Sequence, residues 1–119
     1  MTKAIRGAVQ FAADDKEKIK DRVQFLLERL LDENSLAESE IISLFFSTTN
    51  DLKSINPAAA LRAGGRFADT PLFCAQEPDT EGAMPRVIRV LITCEHEMDK
   101  KDLIHIYLDG AEKLRPDLN

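Results

Sequence analysis

Several classes of protein are excluded by what this 119-residue chain lacks. It holds only two cysteines, Cys74 and Cys94, too few for a disulfide scaffold, and in a reducing compartment both read as free thiols. No apolar run approaches the roughly 20 residues needed to cross a bilayer. The opening Met1-Thr2-Lys3-Ala4-Ile5-Arg6 has no apolar core of a secretory signal, so a cytoplasmic chain is expected. Metal spacing is missing: there is no CxxC and no HExxH, and His96 and His105 lack Cys or His neighbours. No GxSxG elbow or glycine-rich phosphate loop occurs, and Ser43, Ser47, Thr48 and Thr49 form no nucleophile motif. A basic excess is missing too. Net charge is −5 with acids and bases interspersed, which argues against a general nucleic-acid binder but leaves room for a local anion pocket.

What is present is a core-forming apolar fraction of 44%, enough for one domain over residues 1–119. Lys3–Val9 reads as a strand. Asp14, with Glu17 three residues on, predicts a capping box opening a helix whose apolar stripe is Ile19, Val23, Leu26, Leu27, Leu30 and Leu31, closed near Asn34 by a left-handed cap. Ile41–Ser47 reads as a buried strand. Asn56-Pro57 predicts the start of a short helix that Gly64-Gly65 ends. Further strands are predicted over Pro71–Ala75, Arg86–Cys94 and Ile104–Leu108, with a helical turn after Asp99. The tail from Leu114 to Asn119 has no strong preference. The fold class is α+β: a mixed five-stranded sheet with one long helix and short helices. One long helix cannot cover such a sheet, so its other face is expected to meet a second subunit.

Arg89 is the sharpest chemical signal. It stands in the apolar run Val87-Ile88-Arg89-Val90-Leu91-Ile92, and strand alternation puts it on the face of Val87, Leu91 and Thr93. A guanidinium is always charged, and burying it unpaired is costly. Two readings stay open: a strand arginine at an edge or paired with a carboxylate of the same chain, or a pocket cation for an anionic ligand. Arg6, between Ile5 and Gly7, has a similar place in the first strand. Two such forks aimed at one point would suit carboxylates. Glu77, after Leu72-Phe73-Cys74-Ala75-Gln76, could hold a substrate hydroxyl or balance Arg89. Cys74 has no histidine beside it and reads as a buried thiol. Tyr107 reads as a half-exposed strand residue or a pocket donor, on the face of His105, and His105 reads as structural rather than as a base. Such a set fits a binding site, or an enzyme that works by electrostatics and confinement.

Ala4-Ile5-Arg6-Gly7-Ala8, Cys74-Ala75-Gln76-Glu77, Arg86-Val87-Ile88-Arg89-Val90, His105-Ile106-Tyr107-Leu108 and Leu114-Arg115-Pro116-Asp117-Leu118 occur in an order and spacing that resembles the monofunctional AroH-class chorismate mutases. The resemblance covers nearly the whole chain. It implies a homotrimer forming a pseudo α/β-barrel with active sites at subunit interfaces. It also implies rearrangement of chorismate to prephenate in aromatic amino-acid biosynthesis, without cofactor or metal. Carried over residue by residue, it puts Arg89 beside the breaking ether oxygen and Arg6 on a carboxylate. Glu77 would meet the ring hydroxyl with Cys74 close by, and Tyr107 would lie along the enolpyruvyl chain. Phe73 and Ala75 would form the wall, Arg62 and Arg115 the mouth, and Gln76 and Leu114 would join the substrate-binding set. Asn56 and Ala59 stand where the family pattern has an aromatic residue and a lysine. A short tail implies that Leu114 and Arg115 order only on a ligand. Two rivals share the arginines: an imine deaminase on a similar trimer, and a non-catalytic sensor of aromatic acids.

Overall fold

The computed structural model describes residues 1–116. Along the chain run β1 (Thr2–Gln10), α1 (Lys16–Glu33), β2 (Ile41–Thr48), α2 (Pro57–Arg62), β3 (Leu72–Gln76), β4 (Val87–Glu95) and β5 (Ile106–Leu108). Short 3-10 turns occupy Glu38–Glu40, Lys100–Asp102 and Ala111–Leu114. The strands form one mixed sheet in the order β3-β2-β4-β1-β5. β4 runs antiparallel to both β1 and β2, while β3 joins β2 and β5 joins β1 in parallel. The predicted α+β architecture is the observed one. No helix among the described residues is long and apolar enough to cross a membrane.

The apolar stripe of α1 is the stripe predicted, and all six of its residues are buried. They pack on the sheet face made by Ile5, Val9, Leu44, Phe46, Ile88, Val90, Ile92, Ile106 and Leu108. The helix lies closest where β1 has no side chain. A Cβ on Gly7 would stand 2.7 Å from Leu30 Cδ1 and 3.1 Å from Val90 Cγ1. α2 packs beside α1 on this same face, tied by a Gln24 Nε2–H bond to the Ala60 carbonyl at 2.9 Å.

Local details depart from the sequence reading. The helix cap is Asp15, whose carboxylate accepts from the Glu17 and Lys18 N–H groups; the predicted cap, Asp14, instead accepts from Lys53 N, Ser54 N and Ser54 Oγ. Either aspartate could cap locally, and the long-range loop contact takes one of them. The left-handed residue after α1 is Ser35 (φ 50°), not Asn34. Asn34 is fully buried and uses its amide on Leu30 O, Ile104 O and Ile104 N. That contact takes Ile104 out of the predicted last strand, which begins only at Ile106. A 3-10 turn at Ala111–Leu114, started by Gly110 at φ 113°, precedes the tail and includes only its first residue, Leu114. Asp117 and Leu118 of the final motif lie outside the described residues.

The opposite face of the sheet has no helix layer among the described residues. Cross-strand register sets Phe73, Phe45, Leu91 and Arg6 in one row on it, and Ala75, Ser47, Arg89, Ala8 and Tyr107 in the next. Phe45 and Phe73 stack with centroids 5.5 Å apart, yet remain 44% and 64% exposed. Among the described residues, Ala111 and Leu114 close over Ala8 and Tyr107 at one end of it.

Candidate active site

The bare face carries the candidate site. A cavity of about 260 Å³ is lined by Arg6, Gly7, Phe45, Ser47, Arg89, Val90, Leu91 and Tyr107. Register explains why the two arginines meet: Arg6 faces Leu91 and Ala8 faces Arg89 across β1 and β4, so the guanidinium-bearing positions are diagonal neighbours on one side. β4 is the central strand, which removes the edge-strand reading of Arg89.

The two guanidiniums are held differently. Arg89 Nε donates to Glu77 Oε2 at 2.9 Å, and Ser47 Oγ donates to the other carboxylate oxygen at 2.6 Å. Arg89 is thus both paired with a carboxylate of its own chain and part of the cavity lining. Its half-exposed side chain makes the pair a device for orientation rather than a large source of stability. With Nε engaged, the terminal N–H groups are left for a ligand. Arg6 has no carboxylate partner among the described residues and lines the same cavity. Its main-chain N–H donates to His105 Nδ1 at 2.9 Å.

Tyr107 is more buried than a half-exposed strand residue. Its neighbours are Ala8, Ala111 and Leu114, and it borders the cavity. Leu114 packs beside Tyr107 at the margin of the cavity. Arg115 is half-buried, and its charge reaches His105.

Other carried-over residues lie elsewhere on the chain. Cys74 is on the opposite side of β3 from Ala75, packed against the main core beside α2. Its Sγ is 4.0 Å from Asn56 Oδ1. Burial raises its pKa, against smaller lowering effects from the Ala58 backbone and the Arg62 charge, so the thiol stays protonated. Asn56 is occupied in capping α2 through Ala59 N, and Arg62 is exposed at the end of that helix. Gln76 is exposed on the Cys74 side. Phe73 stands on the bare face, stacked on the cavity residue Phe45. One chain therefore presents two groups: Arg6, Ser47, Glu77, Arg89 and Tyr107 on the sheet face, and Cys74, Asn56 and Arg62 along the β3 edge. Sequence reasoning missed Ser47, Phe45 and Leu91 as site residues. They are ordinary strand residues until the register sets them beside Arg89 and Arg6. Among the described residues no group of three His, Cys, Asp or Glu side chains could hold a metal ion.

Comparison with known proteins agrees over the full length. A family profile described as chorismate mutase type I matches residues 2–118. The chain is 33% identical to chorismate mutase AroH of Bacillus subtilis (strain 168), covering 100% of this chain and 94% of that protein. It is 37% identical to chorismate mutase AroH of Thermus thermophilus, covering 99% and 97%. A solved chorismate mutase from Clostridium thermocellum superposes with a TM-score of 0.88 at 38% identity, over 93% of this chain and 98% of that one. A matching profile from end to end, relatives at this identity and the same sheet and helices leave one conclusion: the chain belongs to the chorismate mutase type I family.

Proposed function

We propose that the cavity between Arg6 and Arg89 is where this isomerase converts chorismate to prephenate, and that it does so by electrostatics and confinement. The conversion is the activity of the family; the residue roles are the proposal. The observation that carries it is a pair of diagonal guanidiniums in a largely apolar cavity, one fixed by Glu77 and one without a carboxylate among the described residues. Chorismate is a dicarboxylate, and its rearrangement breaks one carbon–oxygen bond while forming one carbon–carbon bond in the same molecule. No nucleophile and no net proton transfer are needed. Negative charge grows on the ether oxygen as its bond to the ring breaks.

In this reading Arg89 faces that oxygen with the N–H groups that Glu77 leaves available, and Arg6 binds a carboxylate. Glu77 takes the ring hydroxyl as well as fixing Arg89. Tyr107 and Leu114 hold the enolpyruvyl side chain, and Phe73, Ala75 and Phe45 form the wall. Fixing the compact conformer avoids an entropic cost at the moment of reaction, and a preorganised donor lowers the barrier further. The Cys74, Gln76, Asn56 and Arg62 edge is too far round β3 to serve the same chain's cavity. It completes the site of a neighbouring copy in a homotrimer, with Arg62 and Arg115 at the mouth steering the dianion. Two free thiols and no extended apolar segment suit a cytoplasmic setting.

The test is direct. Incubation with chorismate should yield prephenate; binding without turnover would leave only the sensor reading. Arg89→Ala should lower kcat by about 10²–10³, as loss of one oxyanion donor does elsewhere, with unchanged thermal unfolding. A near wild-type rate in this variant would remove the electrostatic role.

A further inference from the structure

We propose that His105 is a positioning residue for the substrate-binding arginine: its neutral imidazole accepts the Arg6 main-chain N–H and thereby decides which of two cavities the Arg6 guanidinium serves. The inference rests on the reading of Arg6 as a carboxylate ligand.

The geometry begins with β5. Its parallel pairing with β1 starts at Gly7↔Ile106, so the ladder provides no strand partner for the donor just before it. The His105 side chain fills that place, accepting from Arg6 N at 2.9 Å through Nδ1. An acceptor at Nδ1 requires the tautomer with its proton on Nε2. Here a side chain, rather than the sheet ladder, holds the main-chain N–H of the residue that carries the fork.

That hold matters because Arg6 borders two spaces. On one side lies the cavity shared with Arg89 and Tyr107. On the other lies a second cavity of about 250 Å³ bounded by Arg6, His105, Lys100, Ala4 and Leu91. With no carboxylate to anchor it, the guanidinium has room on both sides. The backbone direction at Arg6 then governs how much of its time it spends facing the substrate. Misplacement of a binding group by about 1 Å can cost on the order of 100-fold in rate.

Charges around the ring favour the acceptor form. Arg6 on β1, Arg115 after the last turn and Lys100 on the preceding turn all approach His105. Burial first, then Arg6 and Arg115, push its pKa below the ordinary histidine value. The sign follows. A depressed value means that the neutral form is favoured in the folded protein. The hold is complete above the unfolded-state value and is lost as pH falls through the folded one. Protonation would turn the acceptor into a donor facing the Arg6 N–H and add a cation beside the guanidinium.

The experiment compares wild type, His105→Asn and His105→Ala, with kcat and KM for chorismate measured between about pH 5 and 8. Asparagine keeps an acceptor at the same branch of the side chain and does not titrate. His105→Ala should raise KM about tenfold with kcat within twofold, the pattern of lost ground-state binding. His105→Asn should restore KM to within about threefold of wild type and abolish the acid-side rise in KM expected of wild type as pH falls through the depressed His105 value. Equal KM defects in both variants, or an acid-side rise that persists in His105→Asn, would overturn the proposal. A ¹⁵N spectrum of the imidazole gives a readout independent of turnover and of whether either variant folds. The wild-type Nδ1 should report an unprotonated, hydrogen-bonded nitrogen at pH 7, and a protonated Nδ1 would also overturn it. Arg6→Ala separates the two layers. If it leaves KM unchanged, the carboxylate role of Arg6 fails, whereas a raised KM in Arg6→Ala with none in His105→Ala refutes only the positioning role.

Discussion

Single polar side chains in this protein are placed where the backbone lacks a partner, and Asn34 shows what that is worth. It is fully buried at the end of α1, donates to the carbonyls of Leu30 at 2.8 Å and Ile104 at 2.9 Å, and accepts from Ile104 N at 2.7 Å. One amide thus closes the helix and fastens the segment leading to His105. Asn34→Ala removes all three bonds at once and leaves the main chain of Ile104 without them. The expected loss is about 2–3 kcal/mol, since each buried group stripped of its partner costs about 1–3 kcal/mol. Urea unfolding at fixed protein concentration should show it as a lower midpoint with an unchanged slope. A loss below about 0.5 kcal/mol would mean that water replaces the amide without cost. Ser47 illustrates the same economy at the site. Its hydroxyl orients Glu77, which in turn orients Arg89, so a residue with no reactive role sets the direction of the principal cation.

Among the elements, the contact of α1 with β1 is the tightest constraint. Leu26 and Leu30 descend on the strand where Gly7 offers no side chain, and any Cβ there would overlap Leu30 Cδ1 at 2.7 Å. Gly7→Ala should therefore lift the helix or force Leu30 off its rotamer, at a cost of about 1–3 kcal/mol for overpacking. Because Arg6 precedes it, the same shift should disturb substrate binding; calorimetry and KM measured on one preparation would show both. A variant as stable as wild type would mean that the helix shifts freely. This contact also marks the limit of what the sequence could tell. Periodicity alone located α1 with all six of its buried residues, and alternation placed Arg89 on the face of Leu91 and Thr93. Family resemblance, carried by ordered motifs, supplied the activity. Register was not legible, because nothing local says that Ser47 stands beside Arg89 or Phe45 beside Leu91. Nor was the choice between Asp14 and Asp15 as cap, which a loop 40 residues away decides. The short β5 follows the same logic, since Asn34 claims the backbone of Ile104 before the sheet can.

As a whole, the molecule is a two-layer slab about 20 Å thin with one finished face and one unfinished face. Helices cover the first. The second exposes Phe45, Phe73 and Leu91 in a row beside the cavity, an apolar strip of the kind that marks a contact surface. The residues expected to bind substrate are divided between that face and the far side of the β3 edge, and no bending of a hydrogen-bonded sheet brings the two together in one chain. The proposed trimer would do so by repeating one head-to-tail contact, the face of each copy meeting the edge of the next. This arrangement makes a sharp prediction for mixtures. Arg89→Ala damages the face group, and Arg62→Glu puts the wrong charge in the edge group; each homogeneous variant should be strongly impaired. Co-expressed at equal levels, the two should regain activity, because about a quarter of randomly formed contacts pair an intact face with an intact edge. Sedimentation should show the same trimer in all three preparations, and Phe73→Asp, at the centre of the contact, should yield monomers without turnover. If the mixture is no more active than its components while the trimer persists, each site is built within a single chain, and the division of residues across β3 has another cause.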